Sequence, residues 1–161
     1  MYSVIFLGIA TGCRSMTPMA VLCWAMWLAK LPVTRLNFWE ANVFAVVIFS
    51  LAAIGEYYGD TRPEIPSRTS WGPLLARLVL GTWIGVSVFS SFMEPLMGGA
   101  LFGIAGVLIG AFGGKKLRLW LARVVGRDLP VALAESALTL AISLWAMHGI
   151  VADWVRQSAI Q

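Results

Sequence analysis

The first apolar stretch of the chain, residues 2–29, contains an arginine. The segment that interrupts it reads Arg14-Ser15-Met16-Thr17-Pro18. Ser15 or Thr17 can cap a second half-helix with Pro18 in its first turn, so the sequence predicts that the helix breaks there. A break exposes N–H groups whose partial positive charge adds to that of Arg14. Together they would bind an anion, a carboxylate or a lipid phosphate.

The alternative is that Arg14 pairs with a buried glutamate and only holds helices together. Glu135 lies one to two turns into the last apolar block and would meet Arg14 if the first and last blocks pack together. Glu40, at the start of the second block, is the other candidate. An acidic residue within a membrane helix is a functional candidate by default. The sequence leaves both interpretations of Arg14 open.

Glu56 and Asp60 share one face of a predicted helix because they are spaced i, i+4. They end the second apolar block and precede a charged loop that carries Arg68. Two carboxylates on one face can bind a cation or pass a proton, and they can equally form salt bridges with nearby arginines. The predicted substrate-binding residues are Arg14, Ser15, Thr17, Glu56, Asp60, Arg68 and Glu135.

No sequence pattern indicates an enzyme, a metal site or a cofactor. The chain has no Gly-x-Ser-x-Gly, Walker, Cys-x-x-Cys or His-Glu-x-x-His motif. His148 is the single histidine, and Cys13 and Cys23 are predicted packing residues. An enzyme acting on lipids would need polar groups that converge beside the headgroups. The end of the second block offers the only such cluster, so this function is the least favoured.

The elements that must position these residues are predicted membrane helices. Of the 161 residues 59% are hydrophobic and 12% charged, and the mean hydropathy is +0.80, whereas a soluble domain carries about 25% charged residues. A membrane span needs about 20 mostly apolar residues. Five blocks qualify: 2–29, 40–58, 73–92, 95–112 and 129–150. The prediction is an all-α, polytopic integral membrane protein with a broken first helix and a single transmembrane domain over residues 1–161.

The loop charges predict an orientation if the first block crosses the membrane once. One side then receives Arg62, Arg68, Arg77, Lys115, Lys116, Arg118, Arg123 and Arg127, and the other receives Lys30, Arg35 and Arg156. Cytoplasmic loops are rich in lysine and arginine, which places the N-terminus in the cytoplasm. A first block that turns back at Arg14 as a re-entrant loop would change this assignment, and the sequence does not choose between the two.

Residues 115–125 are too basic to span a bilayer, and their apolar positions fit an amphipathic helix on its surface. The predicted partners are the bilayer itself and anionic lipid headgroups, which would bind Lys115, Lys116, Arg118 and Arg123. No nucleic-acid partner is needed to explain the net charge of +4, because the membrane surface explains it more simply.

A faint internal repeat relates the two ends of the chain. Residues 6–10 resemble residues 101–105, and at the same offset Glu40 falls on Glu135. The repeat halves would be 1–60 and 96–161, joined by a helix over 73–92. An odd number of crossings between the halves would invert the second one, as in many transporters. Chance matching of apolar residues is the alternative.

Glycines recur at GxxxG spacing in the third and fourth blocks. Such spacing lets helix backbones approach closely, and it predicts either tight packing within the chain or a homodimer contact. The pairs are Gly81/Gly85, Gly99/Gly103, Gly106/Gly110 and Gly110/Gly114.

Several motifs resemble one family of small bacterial membrane proteins, the domain of unknown function 4126. The likeness covers nearly the whole chain, and it implies a bacterial inner-membrane location but no activity. The segments that carry it are Gly8-Ile9-Ala10-Thr11-Gly12-Cys13-Arg14-Ser15-Met16-Thr17-Pro18, Glu56-Tyr57-Tyr58-Gly59-Asp60 with Pro63, Ile65-Pro66-Ser67-Arg68-Thr69, Phe112-Gly113-Gly114 and Asp128-Leu129-Pro130-Val131-Ala132-Leu133-Ala134-Glu135.

The favoured function is a small transporter or channel for an anionic solute or a lipid phosphate bound near Arg14. Buried ionisable groups, a broken helix and a repeat are the features on which this depends. The alternative is a non-catalytic membrane scaffold or assembly factor that acts through helix packing.

Overall fold

The computed structural model describes residues 2–59, 71–125 and 128–159. Within these ranges the regular secondary structure is entirely helical, so the predicted all-α class is confirmed. The helices are α1 (Ser3–Cys13), α2 (Met16–Trp27), α3 (Val43–Gly59), α4 (Trp71–Ser91), α5 (Leu96–Val125) and α6 (Asp128–Ser158).

Among the described helices, α4, α5 and α6 are long and apolar enough to cross a membrane. The stretches that qualify are Trp71–Ser91, Leu96–Leu121 and Pro130–Ser158. Helices α1, α2 and α3 are apolar but shorter, with 11, 12 and 17 residues. The described part of the chain therefore has three long spans rather than the five predicted, and the first block is divided into two short helices.

The break at Arg14 and Ser15 turns the chain back on itself. Helix α1 runs antiparallel to α6, because the start of α1 at Ser3 faces Gly149 while Arg14 reaches Ser136. Helix α2 then runs antiparallel to α3, where Thr17 contacts Tyr57 at 2.8 Å and Trp24 donates to Ser50 at 3.1 Å.

The segment after α2 shows to which end the chain returns. Ser91, at the end of α4, donates a hydrogen bond to the carbonyl oxygen of Pro32 at 2.8 Å, and Ser90 contacts Thr34 at 2.7 Å. We call this end, where α4 ends and α5 begins, the loop end. The opposite end, where α3 ends and α5 becomes basic at Lys115, is the basic end. Helices α1 and α2 thus form a hairpin that opens toward the loop end and has its tip near the basic end.

The hairpin removes the basis of the predicted orientation and of the inverted repeat. The N-terminal orientation assumed one crossing by the first block, which the structure does not have. An inversion would make α1 and α5 antiparallel, because residues 6–10 match residues 101–105. The two helices instead run parallel, with Gly8 beside Gly103 and Gly12 beside Gly110. The predicted inverted repeat is therefore not found.

Helix α5 continues through Gly113 and Gly114, so residues 115–125 are not a separate surface helix. A Cβ atom built on Gly114 would lie 2.9 Å from the sulfur of Cys13, which shows how closely α1 approaches α5 at this point. Arg118, one turn further on, forms an ion pair with Glu135 of α6 at 3.9 Å. Contacts with α1 and α6 accompany this continuation of α5 into residues that the sequence assigned to a surface helix.

The GxxxG glycines are covered by neighbouring helices of the same chain. A Cβ atom on Gly85 would collide with the carbonyl oxygen of Gly99, and one on Gly110 would collide with that of Ile9. Helix α5 is thereby held between α4 and α1 at backbone contact, which supports the interpretation as packing within the chain. A homodimer stays a prediction, and Gly113 is the glycine of α5 that has open space beside it.

Candidate functional site

Arg14 lies at the tip of the hairpin and is 1% exposed. Its guanidinium donates to the carbonyl oxygen of Glu56 at 3.1 Å, to that of Ala132 at 3.3 Å and to the hydroxyl of Ser136 at 2.7 Å. The Glu56 carbonyl belongs to the last turn of α3, where helix carbonyls have no partner within the helix. Arg14 therefore neutralises the negative end of α3 with a positive charge.

The side chain of Glu56 makes the complementary contact with the start of α2. One carboxylate oxygen accepts from the backbone N–H and the hydroxyl of Ser15, at 3.0 and 3.1 Å, and the other accepts from the N–H of Met16 at 3.0 Å. Arg77 of α4 lies 3.9 Å from the same carboxylate. Because the start of a helix carries unpaired N–H groups and partial positive charge, this position binds an anion well.

Tyr57 closes the site on a third side. The guanidinium carbon of Arg14 lies 5.1 Å from the centre of the Tyr57 ring, within the range of a cation–π contact. The Tyr57 hydroxyl contacts the hydroxyl of Thr17 at 2.8 Å. We call Arg14, Ser15, Glu56, Tyr57 and Arg77 the hairpin-tip cluster. In this cluster one of the protein's own carboxylates, that of Glu56, occupies the start of α2.

The structure brings together four of the predicted site residues, namely Arg14, Ser15, Thr17 and Glu56. Asp60 and Arg68 lie outside the described residues. Arg77, Tyr57 and Ser136 were not in the predicted set. A sequence signal was available for Arg77 only, because it is a charged residue near the start of the third apolar block.

Glu135 occupies a separate place, on the side of α6 that faces α5. Its ion pair with Arg118 lies beside a cavity of about 120 Å³ between α1, α5 and α6. The walls of this cavity are mostly aliphatic and include Ile9, Leu117 and Leu138. Glu135, which the sequence suggested as the partner of Arg14, thus forms an ion pair with Arg118 of α5.

Glu40 is a fully buried acidic residue, and the sequence pointed to it as the repeat mate of Glu135 and as the other candidate partner of Arg14. It is 0% exposed and lies in the segment between α2 and α3, at the loop end. Trp83 of α4 donates a hydrogen bond to one carboxylate oxygen and Ser87 of α4 donates one to the other, both at 2.6 Å. Burial raises the pKa of Glu40 to about 7, and the two hydrogen bonds offset part of that rise.

In the described part of the chain, no three His, Cys, Asp or Glu side chains are grouped so that they could hold a metal ion.

No family model matches the chain. The curated proteins and the solved structures likewise contain no match to it. The resemblance to the domain of unknown function 4126 stays a prediction from the motifs.

Proposed function

We propose that the protein is a small polytopic membrane carrier for an anionic solute or a phosphate-bearing lipid, which binds at the hairpin-tip cluster. The observation that carries this proposal is the Glu56 carboxylate on the first N–H groups of α2. Those donors, with Arg14 and Arg77 beside them, hold one carboxylate now. The same donors match the oxygens of another carboxylate or of a phosphate.

In the proposed arrangement α3 to α6 cross the bilayer and the α1–α2 hairpin enters it from the loop end. Helix α3 has 17 residues and is about 25 Å long at the usual helical rise, which suits a slightly thinned bilayer. The basic end carries Lys115, Lys116, Arg118 and Arg123 and would be cytoplasmic, with anionic headgroups around it. The start of α1 would then face the outside of a bacterial inner membrane, the reverse of the orientation expected for a single crossing.

This topology is open to a direct test by labelling. In a chain with Cys13→Ala and Cys23→Ala, single cysteines replace Arg35 at the loop end and Lys116 at the basic end. A membrane-impermeant thiol reagent added to whole cells should label the first and spare the second. Lysed cells are the control, and there both should react. Labelling of both or neither in whole cells would contradict the arrangement.

Exchange of the internal carboxylate for an external anion is the proposed step. Glu56 is partly accessible, with its side chain 15% exposed, whereas Arg14 is 1% exposed. A competing anion can therefore approach where Glu56 lies and replace it on Ser15 and Met16. The hairpin tip lies at the depth where α5 becomes basic, since Gly114 faces Cys13. An anion attracted by Lys115 and Lys116 would therefore arrive close to the hairpin-tip cluster.

Flux through liposomes tests the proposal. The purified chain is reconstituted, and the movement of radiolabelled phosphate, a small carboxylate and a fluorescent phospholipid analogue is measured in parallel. At least one should move faster than in protein-free liposomes, and Arg14→Gln should reduce that rate at least about tenfold, which is the loss of about 1.4 kcal/mol of binding. Glu94→Gln, at an exposed position of the α4–α5 turn, is the matched control and should keep the rate.

Failure of all three probes to move, in liposomes where the chain is folded, would overturn the carrier. It would favour the second candidate, a non-catalytic scaffold that acts through helix packing. One observation favours that candidate, namely that the anion site is filled from within the chain. Arg14 and Glu56 would then only fasten α2, α3 and α6 to one another.

A further inference from the structure

The segment of residues 28–42 between α2 and α3, which we call the docking segment, packs on the last turns of α4 through polar side chains. Asn37, 0% exposed, donates to the Ser87 carbonyl at 3.3 Å and to the Ser91 hydroxyl at 2.9 Å. Thr34 donates through its N–H to the Asn37 side-chain oxygen at 2.6 Å. Glu40 continues the same row of contacts one turn further along α4, at Trp83 and Ser87.

Glu40 differs from Glu56 and Glu135 because no cation in the part of the chain that the structure describes lies beside its carboxylate. Arg77 lies 3.9 Å from the Glu56 carboxylate, and Arg118 is paired with Glu135. An indole and a hydroxyl serve Glu40 instead, and no Lys, Arg or His of the described residues lies within ion-pair distance of it. A buried carboxylate that lacks a cation is destabilised in its charged form, and proton uptake relieves that cost.

The groups around Glu40 add no compensating charge. Helix α2 contributes Cys23, the titratable neighbour, which is neutral as a thiol. Helix α4 contributes Trp83 and Ser87, and the docking segment itself contributes Asn37 and Trp39, all of them uncharged. The position lies in the segment between α2 and α3, outside the proposed membrane-spanning helices, at the loop end.

We propose that Glu40 is a proton-binding site, which takes up one proton from solvent to form a carboxylic acid and releases it again. The reaction is the simple exchange of a carboxylate and a proton for a neutral carboxyl group on the docking segment. In a carrier of the kind proposed above, this proton would be the coupling ion. That last step rests on the proposed function, whereas proton binding does not.

Trp83 provides a built-in reporter, because its indole N–H bonds directly to the carboxylate. Tryptophan fluorescence of the purified full-length chain is recorded from about pH 5 to about pH 9, a range that brackets a carboxyl group with a raised pKa. The wild type should show a one-proton transition near neutral pH, and Glu40→Gln should lack it. His148→Asn is the control for the single histidine, and it should keep the transition. A transition that survives in Glu40→Gln, or vanishes in His148→Asn, would overturn the assignment.

A second measurement uses the wild type alone, so it does not depend on whether a variant folds. The infrared difference spectrum of the wild type between acidic and mildly alkaline pH should contain the carbonyl band of one protonated carboxyl group that persists well above the ordinary glutamate range. Absence of this band would contradict the proposal. Neither measurement uses transport, so a carrier that fails in liposomes leaves the proton site standing, and an absent titration leaves the anion site standing.

Discussion

Replacing Glu56 with alanine is expected to destabilise the bundle by about 3 kcal/mol or more, the usual cost of removing one partner from a buried charge cluster. The change leaves Arg77 without this carboxylate and leaves the N–H groups of Ser15 and Met16 without their acceptor. A loss of this size should lower the melting temperature, measured in detergent by intrinsic fluorescence, by several degrees. Glu94→Ala, at an exposed carboxylate, should leave it within about a degree.

The same variant should be rescued by an added anion. Alanine leaves a space where the Glu56 side chain was, still lined by the N–H donors of α2 and by Arg77. Acetate, propionate or phosphate should enter it, and the melting temperature should rise with anion concentration as expected for ligand binding to the folded state. The wild type, whose site is filled, should not respond at matched ionic strength. An identical response of variant and wild type would show that the site takes no external anion.

Gly85→Ala is expected to destabilise the bundle by an amount similar to that of Glu56→Ala, but through packing. The added Cβ atom would collide with the backbone oxygen of Gly99, and a helix backbone cannot move aside as a flexible side chain can. Overpacking of this kind costs about 1–3 kcal/mol. Because α4 and α5 would have to separate over their whole contact, we expect the upper part of that range.

Gly55→Ala is the matched control, since a Cβ atom at Gly55 meets nothing within 4 Å. Alanine favours a helix over glycine by about 1 kcal/mol, so this variant should melt at or slightly above the wild-type temperature. Thermal melts and size-exclusion profiles of both variants measure this difference in stability. Equal melting temperatures for Gly85→Ala and Gly55→Ala would show that the two helices are not in backbone contact.

The raised pKa of Glu40, about 7 against an ordinary value of 4.5, also fixes the sign of a pH effect on stability. The folded chain binds this proton more tightly than the unfolded chain, so the contribution is full below the ordinary value and is lost as the pH rises through about 7. The melting temperature should therefore fall between mildly acidic and mildly alkaline pH. Glu40→Gln should reduce this dependence of the melting temperature on pH. An unchanged dependence would show that another group causes it.

The sequence by itself determined the helical class, the apolar blocks and the break in the first of them. These are local consequences of residue type. Long apolar runs favour helices, and the Arg14-Ser15 step followed by Pro18 disfavours an unbroken helix. The same local reasoning also identified Glu56 as a candidate, because it shares one helix face with Asp60 at the end of the second apolar block.

Only the tertiary structure decided where the chain goes after the break. A local signal says that a helix ends but not in which direction the next one runs, and here the glycine contacts of α1 with α5 and the docking of residues 28–42 on α4 return it to the loop end. That return brings Glu56, 41 residues further along the chain than Ser15, onto the start of α2. It also buries Glu40 against Trp83. Partners so distant in sequence are selected by packing and charge compensation across the whole bundle, which no local pattern encodes.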